Sequence, residues 1–289
     1  MRIVKTIKQL RQVVHEARCR KQKIGFVPTM GYFHEGHLSL MRAARKECDI
    51  CVVSIYVNPK QFAPAEDFSR YPRDIKRDVK MIKKENVDIL FIPSDNDLYP
   101  NCYLTYIDVE RISNTLCGKY RPGHFKGVAT VVIKLLNMVM PDRMYLGQKD
   151  AQQVVVLSKM VSDLNFPVAI RVVPTTREND GLAMSSRNIH LSAQERAQAP
   201  LLYKSLCGAA RRIQAGERSA SKIIAGIHKA ITEQSNGKIQ YVACVDAITL
   251  EPLKRLKGKV LIALALLLGK TRLIDNVIIP IKESRKVKN

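Results

Sequence analysis

Apolar residues at Ile7, Leu10, Val13 and Val14, three and four apart, predict a first helix capped by Thr6 and running to about Lys21. The period then changes. Residues 24–27 form a short apolar run stopped by Pro28 and Gly31, residues 38–47 return to helical spacing, and residues 50–57 are a continuous β-branched run. Strand, loop, helix and strand within such a short stretch make a βαβ unit, whose parallel strands are buried on both faces. The alternation goes on with helix 74–85, strand 89–92, helix 128–140 closed by Pro141, strand 144–146, helix 151–164 and strand 168–173. The predicted class is α/β: a doubly wound (Rossmann-like) parallel sheet domain over 1–175. From Ala193 to about Ile231 the pattern is amphipathic helices, followed by short strands near 241–245 and 260–268. This predicts a smaller C-terminal α+β domain over 176–289.

Composition narrows the class. The chain has 289 residues, 46% hydrophobic and 26% charged, close to average globular usage and unlike disordered or collagenous chains. Its longest apolar run, 260–268, is far below the roughly 20 residues that span a bilayer, and the N-terminal apolar residues are interleaved with basic ones, unlike a secretion signal. A cytoplasmic protein with seven reduced thiols is expected. The charge stands out, with 48 basic against 26 acidic residues and a formal net charge of +22. Such a balance suits a nucleic acid, a phosphate-rich small substrate or a generally basic surface. The basic residues fall in 18–23, 73–84 and 282–288 instead of one aromatic-interleaved stripe, so no specific nucleic-acid partner is expected.

Chemistry concentrates in the loops that follow strands. Pro28-Thr29-Met30-Gly31-Tyr32-Phe33-His34-Glu35-Gly36-His37 lies between a strand and the helix it feeds, where backbone N–H groups attract anions and two imidazoles can meet one phosphate. A purely structural histidine pair is the other reading of the same residues. Asn58 and Gln61 end the next strand on the same rim, their amides suited to hydroxyl and carboxylate groups, or simply to an Asn-Pro turn. Arg121-Pro122-Gly123-His124-Phe125 is a rigid basic loop that can face an anion or solvent. In Gly147-Gln148-Lys149-Asp150, Lys149 can meet phosphate and Asp150 can accept from ribose or cap the helix, with Gln153 one turn on. Met184-Ser185-Ser186-Arg187 after Gly181 suits a clamp on triphosphate oxygens. Cys48 and Cys51 sit at a helix end and inside a strand without a second pair, and read as inert buried thiols. No carboxylate cluster announces a protein-built metal site.

Together PTMGYFHEGH, SIYVNPKQF, RPGHFKGV, LGQKDAQQ, GLAMSSRN and TRLIDN resemble, in this order and over nearly the whole chain, the pantothenate synthetase (pantoate–beta-alanine ligase) family of the nucleotidyltransferase superfamily. The resemblance implies an AMP-forming acid–amine ligase that adenylates (R)-pantoate with ATP, releases pyrophosphate, and lets beta-alanine displace AMP to give pantothenate. It implies catalytic roles for His37, His34, Lys149 and Arg187. ATP would be held by Met30, Gly31, Tyr32, Phe33, His34, Glu35, Gly36, His37, Gly147, Gln148, Lys149, Asp150, Thr176, Met184, Ser185, Ser186 and Arg187, and pantoate by Gln61 and Gln153. Mg²⁺ on the pyrophosphate oxygens, a lid role for the C-terminal domain and a homodimer are implied as well. Phe33, Tyr56 and Thr176 stand where Leu, Phe and Val are more usual, and residues 263–268 are more apolar than the corresponding strand of the family. Alternative readings are a nucleotidyltransferase of the same superfamily that stops at a nucleotide product, and an RNA-binding synthetase-like protein.

Overall fold

A computed structural model describes residues 1–63 and 68–281; the basic stretch at 282–288 lies outside the described residues. Two compact units result, one made of Met1–Asn114, Arg121–Gln148 and Val156–Thr176, the other of Thr115–Tyr120, Lys149–Val155 and residues from 177 on. The second unit thus takes in two short segments from earlier in the chain, and with them Lys149, Asp150 and Gln153.

The first unit carries a six-stranded, wholly parallel sheet built from β1 (Arg2–Val4), β2 (Ile24–Thr29), β3 (Ile50–Ile55), β4 (Ile89–Phe91), β5 (Arg143–Gly147) and β6 (Ala169–Val173) in the order β1-β4-β3-β2-β5-β6. Val27, Val53 and Leu90 enter one core with Phe33, Met41, Ala44 and Ile82, which brings the helices Glu35–Glu47 and Ile75–Lys84 onto one face. The helix His124–Val139 packs on β2 and on the helix Ile7–Cys19, whose Leu10, Val14 and Ala17 are buried. Both sheet faces are therefore covered, as the apolar runs require. The order reverses at β2, which has β3 on one side and β5 on the other. In open α/β sheets such a switch point opens a crevice beyond the carboxyl ends of the strands.

Several boundaries differ from the sequence expectation. Thr6 does cap the first helix, in a capping box with Gln9, but the helix stops at Cys19. β1 is too short and too basic to give a strand pattern, yet it pairs with β4 from Arg2 to Val4. The helix expected from residue 38 begins at Glu35, and the one expected from 128 begins at His124, so two candidate loops are in fact helix starts.

The second unit has the helices Ala193–Gln198, Leu201–Gln214 and Ala220–Thr232 and an antiparallel sheet of β7 (Lys238–Asp246), β8 (Lys259–Leu268) and β9 (Thr271–Pro280). β8 is the central strand. Val260, Ile262, Leu264, Leu266 and Leu268 enter the core with Leu202, Leu206, Ile223 and Ile227, while Leu261, Ala263 and Ala265 on the opposite face are also buried. Burial on both faces explains why residues 260–268 are apolar throughout. β9, absent from the predicted elements, carries Thr271–Asn276. Among the described residues no helix is long and apolar enough to cross a membrane.

Candidate functional site

The turn after β2 is shaped by backbone constraint. Gly31 at φ 80° and Tyr32 at φ 51° are both left-handed, and a Cβ on Gly31 would lie 2.9 Å from an Asp78 carboxylate oxygen and from Ile55. The Tyr32 and Phe33 amides donate to that carboxylate at 2.7 and 2.8 Å. Arg77 donates to the Phe33 carbonyl at 2.9 Å and lays its guanidinium over the Tyr32 ring, 4.8 Å from its centroid. The Phe33 side chain is wholly buried and packs its ring edge-on to His37, so this aromatic substitution for Leu is a packing choice.

The chain then enters the helix Glu35–Glu47 through a capping box made of two histidines. His34 Nδ1 accepts from the Gly36 amide at 3.1 Å, and His37 Nδ1 accepts from the His34 amide at 3.3 Å, with the rings 4.1 Å apart. The hydrogen-bond network assigns both neutral imidazoles the tautomer with the proton on Nε2, a donor suited to phosphate oxygen. The helix N-terminus adds its positive dipole end at the same place. The capping box is what the structural reading of the pair expects. Glu35 is ion-paired with Arg42, which also bonds Glu85 at 2.9 Å.

At the turn Pro59–Gln61 after β3, Asn58 is 1% exposed and caps the turn, the structural of its two readings. Its Oδ1 accepts from the Tyr99 hydroxyl at 2.9 Å and the Lys60 amide at 3.3 Å, and its Nδ2 donates to Gln61 Oε1 at 3.2 Å and the Gly127 carbonyl at 3.0 Å. Gln61 Nε2 then lies 3.0 Å from Met30 Sδ, so Gln61 and the His loop meet. The Gln61 carbonyl accepts from His124 Nδ1 at 2.8 Å and Arg121 at 3.3 Å, which places the basic loop against the same turn. Thr176 donates to Ser39 Oγ at 3.2 Å, and Ser39 to the Gly36 carbonyl at 2.9 Å, which ties Thr176 to the His helix.

Gly147 ends β5, the neighbour of β2, and the chain runs on through the tight turn Gln148–Asp150. In the second unit Lys149 Nζ approaches Asp150 at 3.5 Å, and the Lys149 carbonyl accepts from Asn276 Nδ2 at 2.9 Å. Asn276 is held by its neighbour Asp275, which receives both arms of Arg177 at 2.6 and 2.9 Å. Arg177 in turn stacks on Tyr203 and donates to the Gly181 carbonyl. Met184, Ser185 and Arg187 are half-buried; Ser185 Oγ accepts from the Arg187 amide at 3.3 Å and starts the turn Ser186–His190. Gln152 is spent internally on Cys117 and Thr115, whereas Gln153 is half-buried.

Asp78, Asp275, Asn276 and Arg177 went unread as positioning groups. Asp78 alone had a signal, since it lies four residues before Ile82 on the apolar face of its helix, where a carboxylate needs partners. Cys48 and Cys51 are buried as the sequence suggests, and burial pushes the Cys51 thiol up to about 12.

Fold and loops define an α/β protein with a histidine-capped helix start at the switch point of its parallel sheet. A sequence model of the family described as pantoate-beta-alanine ligase matches residues 2–278. The pantothenate synthetase of Thermosipho melanesiensis is 53% identical over 279 residues, covering 96% of this chain and 99% of its own, and that of Thermotoga petrophila is also 53% identical, covering 96% and 100%. The crystal structure of pantothenate synthetase from Thermus thermophilus superposes with a TM-score of 0.91 at 42% identity, over 96% of this chain and 99% of that one. Pantoate-beta-alanine ligase from Francisella tularensis, complexed with beta-gamma ATP and beta-alanine, gives 0.78 at 37% identity, over 96% and 97%. The chain belongs to the pantoate–beta-alanine ligase family. It is an enzyme, a ligase, and the nucleotidyltransferase and RNA-binding alternatives are not favoured.

Proposed function

We propose that the chain condenses (R)-pantoate with beta-alanine in two steps at the expense of ATP. A carboxylate resists amine attack because oxide is a poor leaving group. In the first step a pantoate carboxylate oxygen attacks the α-phosphorus of ATP and pyrophosphate leaves. In the second the beta-alanine nitrogen attacks the acyl carbon of the pantoyl adenylate, AMP leaves, and the ammonium protons pass to solvent. No enzyme nucleophile is needed, so catalysis rests on alignment and on charge stabilisation at phosphorus.

The observation that supports this reading most directly is the histidine cap at the switch point of a chain that matches the ligase family along nearly its full length. His34 and His37 would donate from Nε2 to phosphate oxygens, and Lys149 and Arg187 would neutralise charge as pyrophosphate departs. Met30 to His37, Gly147 to Asp150, Thr176 and Met184 to Arg187 would bind ATP, with Tyr32 and Phe33 contributing backbone shape. Gln61 and Gln153 would hold pantoate. Among the described residues no group of three or more His, Cys, Asp or Glu is placed to hold a metal. Mg²⁺ would come with the nucleotide substrate, on phosphate oxygens that suit this hard cation. A homodimer in the cytoplasm completes the proposal.

The test is product analysis with single omissions. AMP is expected only with pantoate, beta-alanine, ATP and Mg²⁺ together, and pantoate-dependent exchange of pyrophosphate into ATP without the amine. Formation of ADP instead would refute the scheme.

A further inference from the structure

We infer that Asp78 is a positioning residue for the His loop: its carboxylate fixes the strained turn Gly31–Phe33 and withholds that turn's amides from the substrate's phosphates. The inference rests on the adenylating reaction proposed above.

Asp78 is 1% exposed, and burial drives its carboxyl upward from the ordinary carboxylate range, against the pull of the Phe33 and Tyr32 amides. An apolar side chain would fill this place on the helix at no such cost. The carboxylate instead meets two successive amides, at 2.7 and 2.8 Å, directly before His34. Two successive N–H groups pointing one way make a small anion-binding concavity. With Asp78 in it, that concavity is closed to phosphate, and since the Gly36 amide is given to His34 Nδ1, phosphate recognition by the loop falls to the imidazoles in the proposed reaction. The left-handed Tyr32 is strained, and the charge-assisted bonds hold it there. Arg77 lies 3.8 Å from the carboxylate and holds the Phe33 carbonyl, so both polar sides of the turn are tied to one helix. Where the turn goes, the His34 cap goes.

Asp78→Asn keeps shape and volume but turns an NH₂ group toward one of the two amides. Its exchange of pyrophosphate into ATP is expected to fall at least tenfold in kcat, with pantoate KM changed less than threefold and the cooperative thermal transition kept. A folded Asp78→Asn variant exchanging at the wild-type kcat would overturn the inference. So would one whose loss of activity only tracks its unfolded fraction. Wild-type hydrogen exchange gives a second reading that needs no variant. The Tyr32 and Phe33 amides should be protected in the substrate-free enzyme like those of the sheet, and fast exchange there overturns the clamp. Absence of pyrophosphate exchange in the wild type would refute the proposed reaction, while amide protection would still decide the clamp.

Discussion

Asn58 donates from Nδ2 to Gln61 Oε1 at 3.2 Å, and this single bond decides which end of the glutamine amide is left to act as donor. With Oε1 engaged, Nε2 is the donor end and lies 3.0 Å from Met30 Sδ. Gln61→Glu keeps the acceptor for Asn58 but replaces the donor with a second, negatively charged oxygen. Pantoate KM in steady-state AMP formation should rise about 100-fold, some 2.7 kcal/mol, with ATP KM nearly unchanged. An unaltered pantoate KM would remove Gln61 from the substrate.

Gly127 lets the helix His124–Val139 lie directly on the turn that carries Gln61. A Cβ there would run into the Lys60 carbonyl and come within 2.7 Å of the Gln61 amide nitrogen. Gly127→Ala must push backbone against backbone and should cost roughly 1–3 kcal/mol. Urea denaturation should show an earlier midpoint, and pantoate KM should rise with it because the same turn moves.

The roles given to the cationic and imidazole groups are tested by truncation. His37→Ala and Lys149→Ala are each expected to lower kcat for adenylate formation by about 10² or more through lost stabilisation of charge at phosphorus. A rate near wild type in either variant would cancel that residue's role.

Asp142 links the first helix to the sheet. It accepts from Arg18 at 2.9 Å and from the Ile24 amide at 2.7 Å. Burial raises its carboxyl, but these donors outweigh it and the net displacement is below the ordinary aspartate value. A lowered folded value means that the ionised form stabilises the fold above the unfolded pKa, and that this stability is lost as pH falls through the folded one. Asp142→Asn should therefore cost about 1–2 kcal/mol near pH 7, and the gap should close below about pH 4. A gap independent of pH would show that the charge contributes nothing.

Much of this was legible in the sequence because period and punctuation agreed. The β-branched run around Val52 and Val53, the helical spacing before it and the glycine and proline stops all describe one parallel sheet, and the loops with chemistry fall after its strands. What escaped was set by contacts across long sequence distance. Asp78 sits in a basic, surface-like run, and its inward turn is decided by amides 45 and 46 residues away. For Asn58 a ligand and an Asn-Pro turn stayed equally open, because the sequence does not reveal that Tyr99 and Gly127 will claim its side chain. The helix start at Glu35 was hidden by Gly36, a poor helix former that the histidine cap overrides.

The central strand of the antiparallel sheet has a consequence for Lys149. A segment greasy on both sides carries no alternation to tell one alignment with its neighbour from another, so apolar burial alone would tolerate sliding. The polar residues of β9 supply the missing information. Asp275 and Asn276 stand opposite Leu264 and Ala263, and only there do they reach Arg177 and the Lys149 carbonyl. A slip of two residues would preserve which side each residue faces yet carry Asn276 about 7 Å away. The backbone of Lys149 is thus anchored by the alignment of two strands more than a hundred positions downstream, and a change that loosens that alignment would displace it without altering the lysine itself.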